Sequence, residues 1–124
     1  MHASVYFDNP DYLKISRQML LNVQPFVSRS PSFFTYWMSL LISFQSSFSE
    51  IVISGEEFMK HREEFCGNYL PDLLFAGAEK ESGLSLLKGR LGHKDTKIYV
   101  CRNRTCKMPV KSVKEALSQL NEKT

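Results

Sequence analysis

Residues 50–77 read EIVISGEEFMKHREEFCGNYLPDLLFAG. A short apolar run, Ile51-Val52-Ile53, stops at Ser54-Gly55, a helical pattern follows, and Tyr69-Leu70-Pro71 closes it before a second apolar run, Leu73-Leu74-Phe75-Ala76. The order predicts strand, helix, strand. Neither run alternates with polar residues as a strand with one wet face would, so the two strands are expected to lie parallel between helical layers. Ser54 with Glu57 three residues later has capping-box spacing, and Glu56 and Glu57 suit the positive end of a helix. Phe58, Arg62, Phe65, Cys66 and Tyr69 form the expected inward stripe, with Lys60, Glu63 and Glu64 facing water.

Working toward the C-terminus, residues 78–96 are polar except for Leu84, Leu86 and Leu87, which predict a loop with one docked turn. Lys97-Ile98-Tyr99-Val100-Cys101 has the composition of a third strand. Met108-Pro109-Val110 is expected to be extended, because a residue before proline avoids the helical region. Ser112 and Glu115 make a second capping box, and Val113, Ala116, Leu117 and Leu120 recur at helical spacing. Residues 50–124 therefore predict a small α/β domain: a three-stranded, mostly parallel sheet of order 2-1-3 with flanking helices.

Residues 1–49 predict an α-helical hairpin. Asn9-Pro10 has the form of a cap followed by a first-turn proline, and Tyr12, Ile15, Met19, Leu20 and Val23 share one side. Pro25 is expected to close this helix and Ser30-Pro31 to open the next. The second helix carries Phe33, Phe34, Trp37, Leu40, Leu41, Phe44 and Phe48, and residues 30–49 contain no charged residue. One neighbouring helix does not cover that aromatic load. The hairpin is expected to pack on the α/β part or on another body, with self-association through Phe33, Phe34, Trp37, Leu41, Phe44 and Phe48.

The bulk numbers narrow the class. A chain of 124 residues, 43% hydrophobic and 23% charged, can build a core and is not of disordered composition. A net charge of +3 is only mildly basic, and no basic residue interleaves the aromatic ones as a nucleic-acid stacking platform requires, so nucleic acid is disfavoured as a partner. The longest apolar stretch, 33–48, is broken by Ser39, Ser43, Ser46 and Ser47, so no membrane span is expected. Three cysteines and no secretory signal suggest a reducing, cytoplasmic setting.

No motif assigns catalysis. Ser54-Gly55 after a strand lacks both the dinucleotide fingerprint and the P-loop, and acidic Glu56-Glu57 would repel phosphate. His2, His61 and His93 are scattered, and His61 lacks zincin spacing, so no metal or cofactor is expected. The distinctive local feature is Cys101-Arg102-Asn103-Arg104-Thr105-Cys106, a C-x-x-x-x-C pattern that is neither a redox C-x-x-C nor a four-ligand zinc site. Its first reading is a pair of structural, reduced thiols. The alternatives are a disulfide across the turn and a reactive thiolate stabilised by Arg102, Arg104 and Lys107.

The ending T-K-I-Y-V-C-R-N-R-T-C-K-M-P-V resembles the C-terminus of the YyaL-like, spermatogenesis-associated thioredoxin-domain-containing proteins, through Tyr99, Val100, Cys101, Cys106, Pro109 and Val110. The strand leading to Gly55, Tyr69-Leu70-Pro71, Leu86-Leu87 with Gly89, and Ser30-Pro31 add generic matches from about Leu13 onward. The resemblance implies a C-terminal piece of a longer protein with a thioredoxin-like domain and a six-hairpin-glycosidase-like toroid. Residues 1–49 would then be closing toroid helices. It implies a non-catalytic accessory domain whose partners are the toroid and thioredoxin-like domains. The alternatives are a fragment serving a carbohydrate-processing or thiol-redox enzyme, and a basic anion-binding or nucleic-acid-binding module. No catalytic residue carries over; Cys101, Cys106, Pro109, Arg102 and Arg104 stand as the candidate motif.

Overall fold

The computed structural model describes residues 1–45, 48–71, 73–80, 82–91, 95–103 and 105–122. The chain divides into two compact units, Met1–Ser47 and Phe48–Thr124.

The second unit is built on β1 (Ser49–Ser54), every residue of which is buried. β2 (Leu73–Ala78) runs parallel to it, joined through helix α4 (Phe58–Cys66). β3 (Lys97–Arg102) lies on its other side, antiparallel, and β4 (Thr105–Cys106) pairs antiparallel with β3. The result is a four-stranded mixed sheet, β2-β1-β3-β4, and not the expected three-stranded, mostly parallel one. The register gives the reason. Ser54, at the end of β1, pairs with Ala78, the last residue of β2, and also with Lys97, the first of β3. The connection between them therefore leaves and returns at the same end of the sheet. An antiparallel return needs no helix to carry the chain back, and the 79–96 segment has no long helical pattern to supply one.

The two faces of β1 meet different covers. Ile51 and Ile53 point into the main core with Phe65, Ile98, Val100, Val113 and Ala116, under α4 and the final helix α5 (Val113–Asn121). On the other face stand Glu50, Val52 and Ser54. Leu86 and Leu87 are buried in a 3-10 turn that packs against β1 and β2. Val110 extends the pairing by an isolated antiparallel bridge to Ile98, placing Pro109, which has no N–H to donate, just outside it.

Local signals were realised unevenly. The α5 capping box forms in full, Ser112 accepting from the Glu115 amide and Glu115 from the Ser112 amide. Ser54 does not cap α4; it is the buried last residue of β1, and the Glu57 amide at the helix start donates to the Thr96 hydroxyl instead. The expected inward stripe of α4 reduces to Phe65, buried, and Phe58, half-buried, whereas Arg62, Cys66 and Tyr69 are exposed.

The first unit comprises α1 (His2–Tyr6), α2 (Pro10–Arg29) and α3 (Thr35–Gln45). Asn9 caps α2 by accepting from the Asp11 amide, with Pro10 at the first turn. Pro25 does not end the helix; α2 continues through it for one more turn to Arg29. Ser30 becomes its C-cap, Pro31–Phe33 forms a 3-10 turn, and α3 starts at Thr35, later than Ser30-Pro31 suggested. Phe26 stacks on Phe34 at 6.4 Å, and Arg17 lies 5.8 Å over the Phe44 ring. Phe48 falls beyond α3, in the second unit. Among the described residues of this first unit only Ser4 and Leu20 are buried.

Candidate functional site

The candidate site forms at the β3–β4 hairpin. Arg102 pairs with Thr105, leaving a two-residue connection of Asn103 and Arg104. Asn103 has φ +50°, a left-handed conformation that asparagine tolerates better than most residues. Arg104 lies outside the described residues. With the turn fixed, Cys101 and Cys106 fall opposite one another. The Lys107 amide donates to the Val100 carbonyl at 2.9 Å, which makes Cys101 and Cys106 a non-hydrogen-bonded pair, where facing side chains approach most closely. The two sulfurs are joined in a disulfide, with Cα atoms 3.9 Å apart. The first reading of the motif, two reduced thiols, is thus replaced by the alternative disulfide.

Two further residues, Arg90 and Glu50, stand at this bond and are absent from the candidate motif. Arg90, from the 79–96 connection, places Nη2 2.9 Å from the Cys106 sulfur. Its Nη1 donates to the Leu86 carbonyl, and its guanidinium carbon lies 5.9 Å from the centre of the Tyr99 ring. Three contacts fix one cation over the face of β3 that carries Tyr99 and Cys101. Glu50, on the same face of β1, pairs in register with Cys101 and is only 2% exposed. The two sulfurs differ in access: Cys101 is 1% exposed, whereas Cys106 is half-buried. Arg90 could not be found from spacing, because sixteen residues separate it from Cys106. Glu50 did carry a signal: a lone carboxylate opening a strand buried on both faces.

Arg102 and Lys107 serve the opposite face. Arg102 Nη2 donates to the Ser49 hydroxyl at 3.2 Å, its direct cross-strand partner. Lys107 Nζ donates to the Gln119 carbonyl and to Glu122 Oε2, both at 2.8 Å, tying the hairpin to the end of α5. Ser49, Cys101, Arg102, Cys106, Lys107 and Gln119 border an open cavity of about 320 Å³. Pro109 is exposed and lines no part of it. Lys111 is also engaged, its ammonium 2.8 Å from Asp95. That hydrogen bond and charge hold the Asp95 carboxyl below, and the Lys111 ammonium above, their ordinary pKa ranges.

Among the described residues no three His, Cys, Asp or Glu side chains converge as metal ligands. His93, the histidine nearest to the motif in sequence, lies outside the described residues, and His61 sits on α4 beside Glu64. No described helix is long and apolar enough to cross a membrane.

Fold and site together define a small mixed α/β unit with a cross-strand disulfide hairpin, joined in sequence to a helical unit. No family model, curated protein or solved structure matches the chain.

Proposed function

We propose that this chain is a non-catalytic accessory domain that docks through its helical unit on a larger helical body, the toroid suggested by the family resemblance. One observation carries the reading. Among its described residues the helical unit buries only Ser4 and Leu20, while Phe33 is 86% exposed, Tyr36 91% and Ile42 60%. Apolar surface of that extent is normally covered by a partner. The α/β unit, by contrast, closes its own core around Ile51, Phe65, Ile98 and Val113.

The test is the solution behaviour of the chain alone, read by light scattering and limited proteolysis. Without its partner the helical unit self-associates or is cut first, while the α/β unit survives as a resistant fragment. Phe33→Ser with Ile42→Ser reduces the association without lowering the stability of the α/β unit. A monodisperse monomer at high concentration, resistant to protease throughout, overturns the reading.

A further inference from the structure

We propose that Cys101 and Cys106 form a thiol–disulfide exchange site, in which Cys106 is the nucleophile, Cys101 the resolving thiol and Arg90 the cation that holds Cys106 as thiolate. The substrate class is an accessible disulfide of a small molecule or protein, with the corresponding dithiol as reductant in the reverse direction. The inference adds a stoichiometric thiol exchange on the α/β unit to a chain read above as non-catalytic, and it stands independently of docking through the helical unit.

Three observations assign the roles. The Arg90 guanidinium touches the Cys106 sulfur at 2.9 Å, and a cation beside a sulfur lowers the thiol pKa. Cys106 is half-buried, whereas Cys101 is 1% exposed, so Cys106 is the more accessible residue of the pair. Glu50, 2% exposed, lies opposite Cys101 in the register, so Cys101 faces a buried carboxyl where Cys106 faces a guanidinium. The charged and titratable groups on this face, among the described residues, are Arg90 from the connection, Glu50 from β1, and Lys97 and Tyr99 from β3. Arg102 and Lys107 each follow a bridged cysteine directly and so project from the other face.

The steps balance. The Cys106 thiolate attacks one sulfur of a substrate disulfide, forms a mixed disulfide and releases the first substrate thiolate, which takes a proton from water. Cys101 loses its proton to solvent and attacks the Cys106 sulfur. The Cys101–Cys106 bond forms as the second substrate thiolate leaves. The substrate gains two electrons and two protons, and the protein dithiol loses them. In reverse, an external thiolate attacks Cys106, the accessible sulfur, and Cys101 departs.

Glutathione disulfide and iodoacetamide are the probes. The Cys101→Ser chain given glutathione disulfide accumulates a mixed disulfide at Cys106, located by peptide mass, whereas the reduced wild type passes through it to the intramolecular bond. In the reduced wild type the pH midpoint for alkylation of Cys106 lies about 1–2 units below that of exposed Cys66 in the same molecule. Arg90→Lys keeps the shift; Arg90→Gln, which retains a donor without the charge, moves the midpoint up toward that of Cys66. Coincident midpoints for Cys106 and Cys66 in the wild type overturn the proposal, and this comparison needs no variant to fold. So does an Arg90→Gln profile identical to the wild type, or glutathione found at Cys66 alone in Cys101→Ser.

Discussion

Thr96 lies directly against Gly55: a Cβ placed on Gly55 would sit 2.7 Å from the Thr96 Cα. Gly55 is also at φ +123°, a conformation that side chains rarely adopt. From this position its carbonyl accepts the Phe58 amide, and its own amide donates to the Ala78 carbonyl. The Thr96 hydroxyl takes the amide of Glu57 at 3.3 Å. The contact thus joins the end of β1, the start of α4 and the entry to β3. Gly55→Ala is expected to cost at least about 2 kcal/mol in chemical denaturation, combining the positive-φ penalty with a clash against backbone. Gly83→Ala is the control, since nothing lies within 4 Å of its added Cβ, and it should change stability by no more than about 0.5 kcal/mol.

The main core predicts a second difference in stability. Phe65 is 0% exposed and meets Phe75 edge to face at 5.5 Å, between α4 and β2. Phe65→Ala removes a buried ring and leaves a cavity, with an expected loss of about 3–5 kcal/mol. Phe33→Ala removes a ring that is 86% exposed and should leave the denaturation midpoint of the α/β unit unchanged. Equal losses for the two would contradict the burial assigned to them.

How much of this was legible depends on the range over which each feature is specified. The Ser112–Glu115 cap needs only four adjacent residues, so its spacing predicts it directly. The β-branched and aromatic content of Lys97–Arg102 announces a strand, yet composition carries no direction. Direction came from where the 79–96 connection returns, at the Ser54 end of β1. The same limit hid Arg90, placed on Cys106 by the packing of Leu86 and Leu87 and not by any local pattern. The disulfide lay between these cases. Cys101 and Cys106 are symmetric about the Asn103-Arg104 turn, so a two-residue hairpin would have placed them opposite each other.

The α5 cap gives a pH prediction with a defined sign. The Glu115 carboxyl is held below its ordinary pKa by the Ser112 hydroxyl first, then by the Ser112 and Lys111 amides. A pKa depressed in the folded state stabilises above the unfolded value, and that stability is lost as pH falls through the folded value. Wild type should therefore exceed Glu115→Gln in stability near neutral pH, with the difference shrinking as pH falls through the ordinary glutamate range and below it. Ser112→Ala should cost about 1 kcal/mol at neutral pH. Asp95→Asn should matter less than Ser112→Ala, because Asp95 and Lys111 are both well exposed and such pairs contribute little. A pH-independent gap between wild type and Glu115→Gln would remove the carboxylate from the cap.

Cys66 supplies the last prediction. It is the final residue of α4 and is exposed, because it follows Phe65 directly and adjacent positions on a helix point about 100° apart. With Phe65 turned into the core, Cys66 is carried off the buried face. The native chain without reductant should therefore give a single fast thiol with an aromatic disulfide reagent, at Cys66, since the other two of its three cysteines are bonded to each other. Denaturant alone should leave the count at one, and denaturant with prior reduction should raise it to three. Slow labelling of Cys66 in the native chain would return it to the inward face of α4, and a count of three without reduction would remove the Cys101–Cys106 bond.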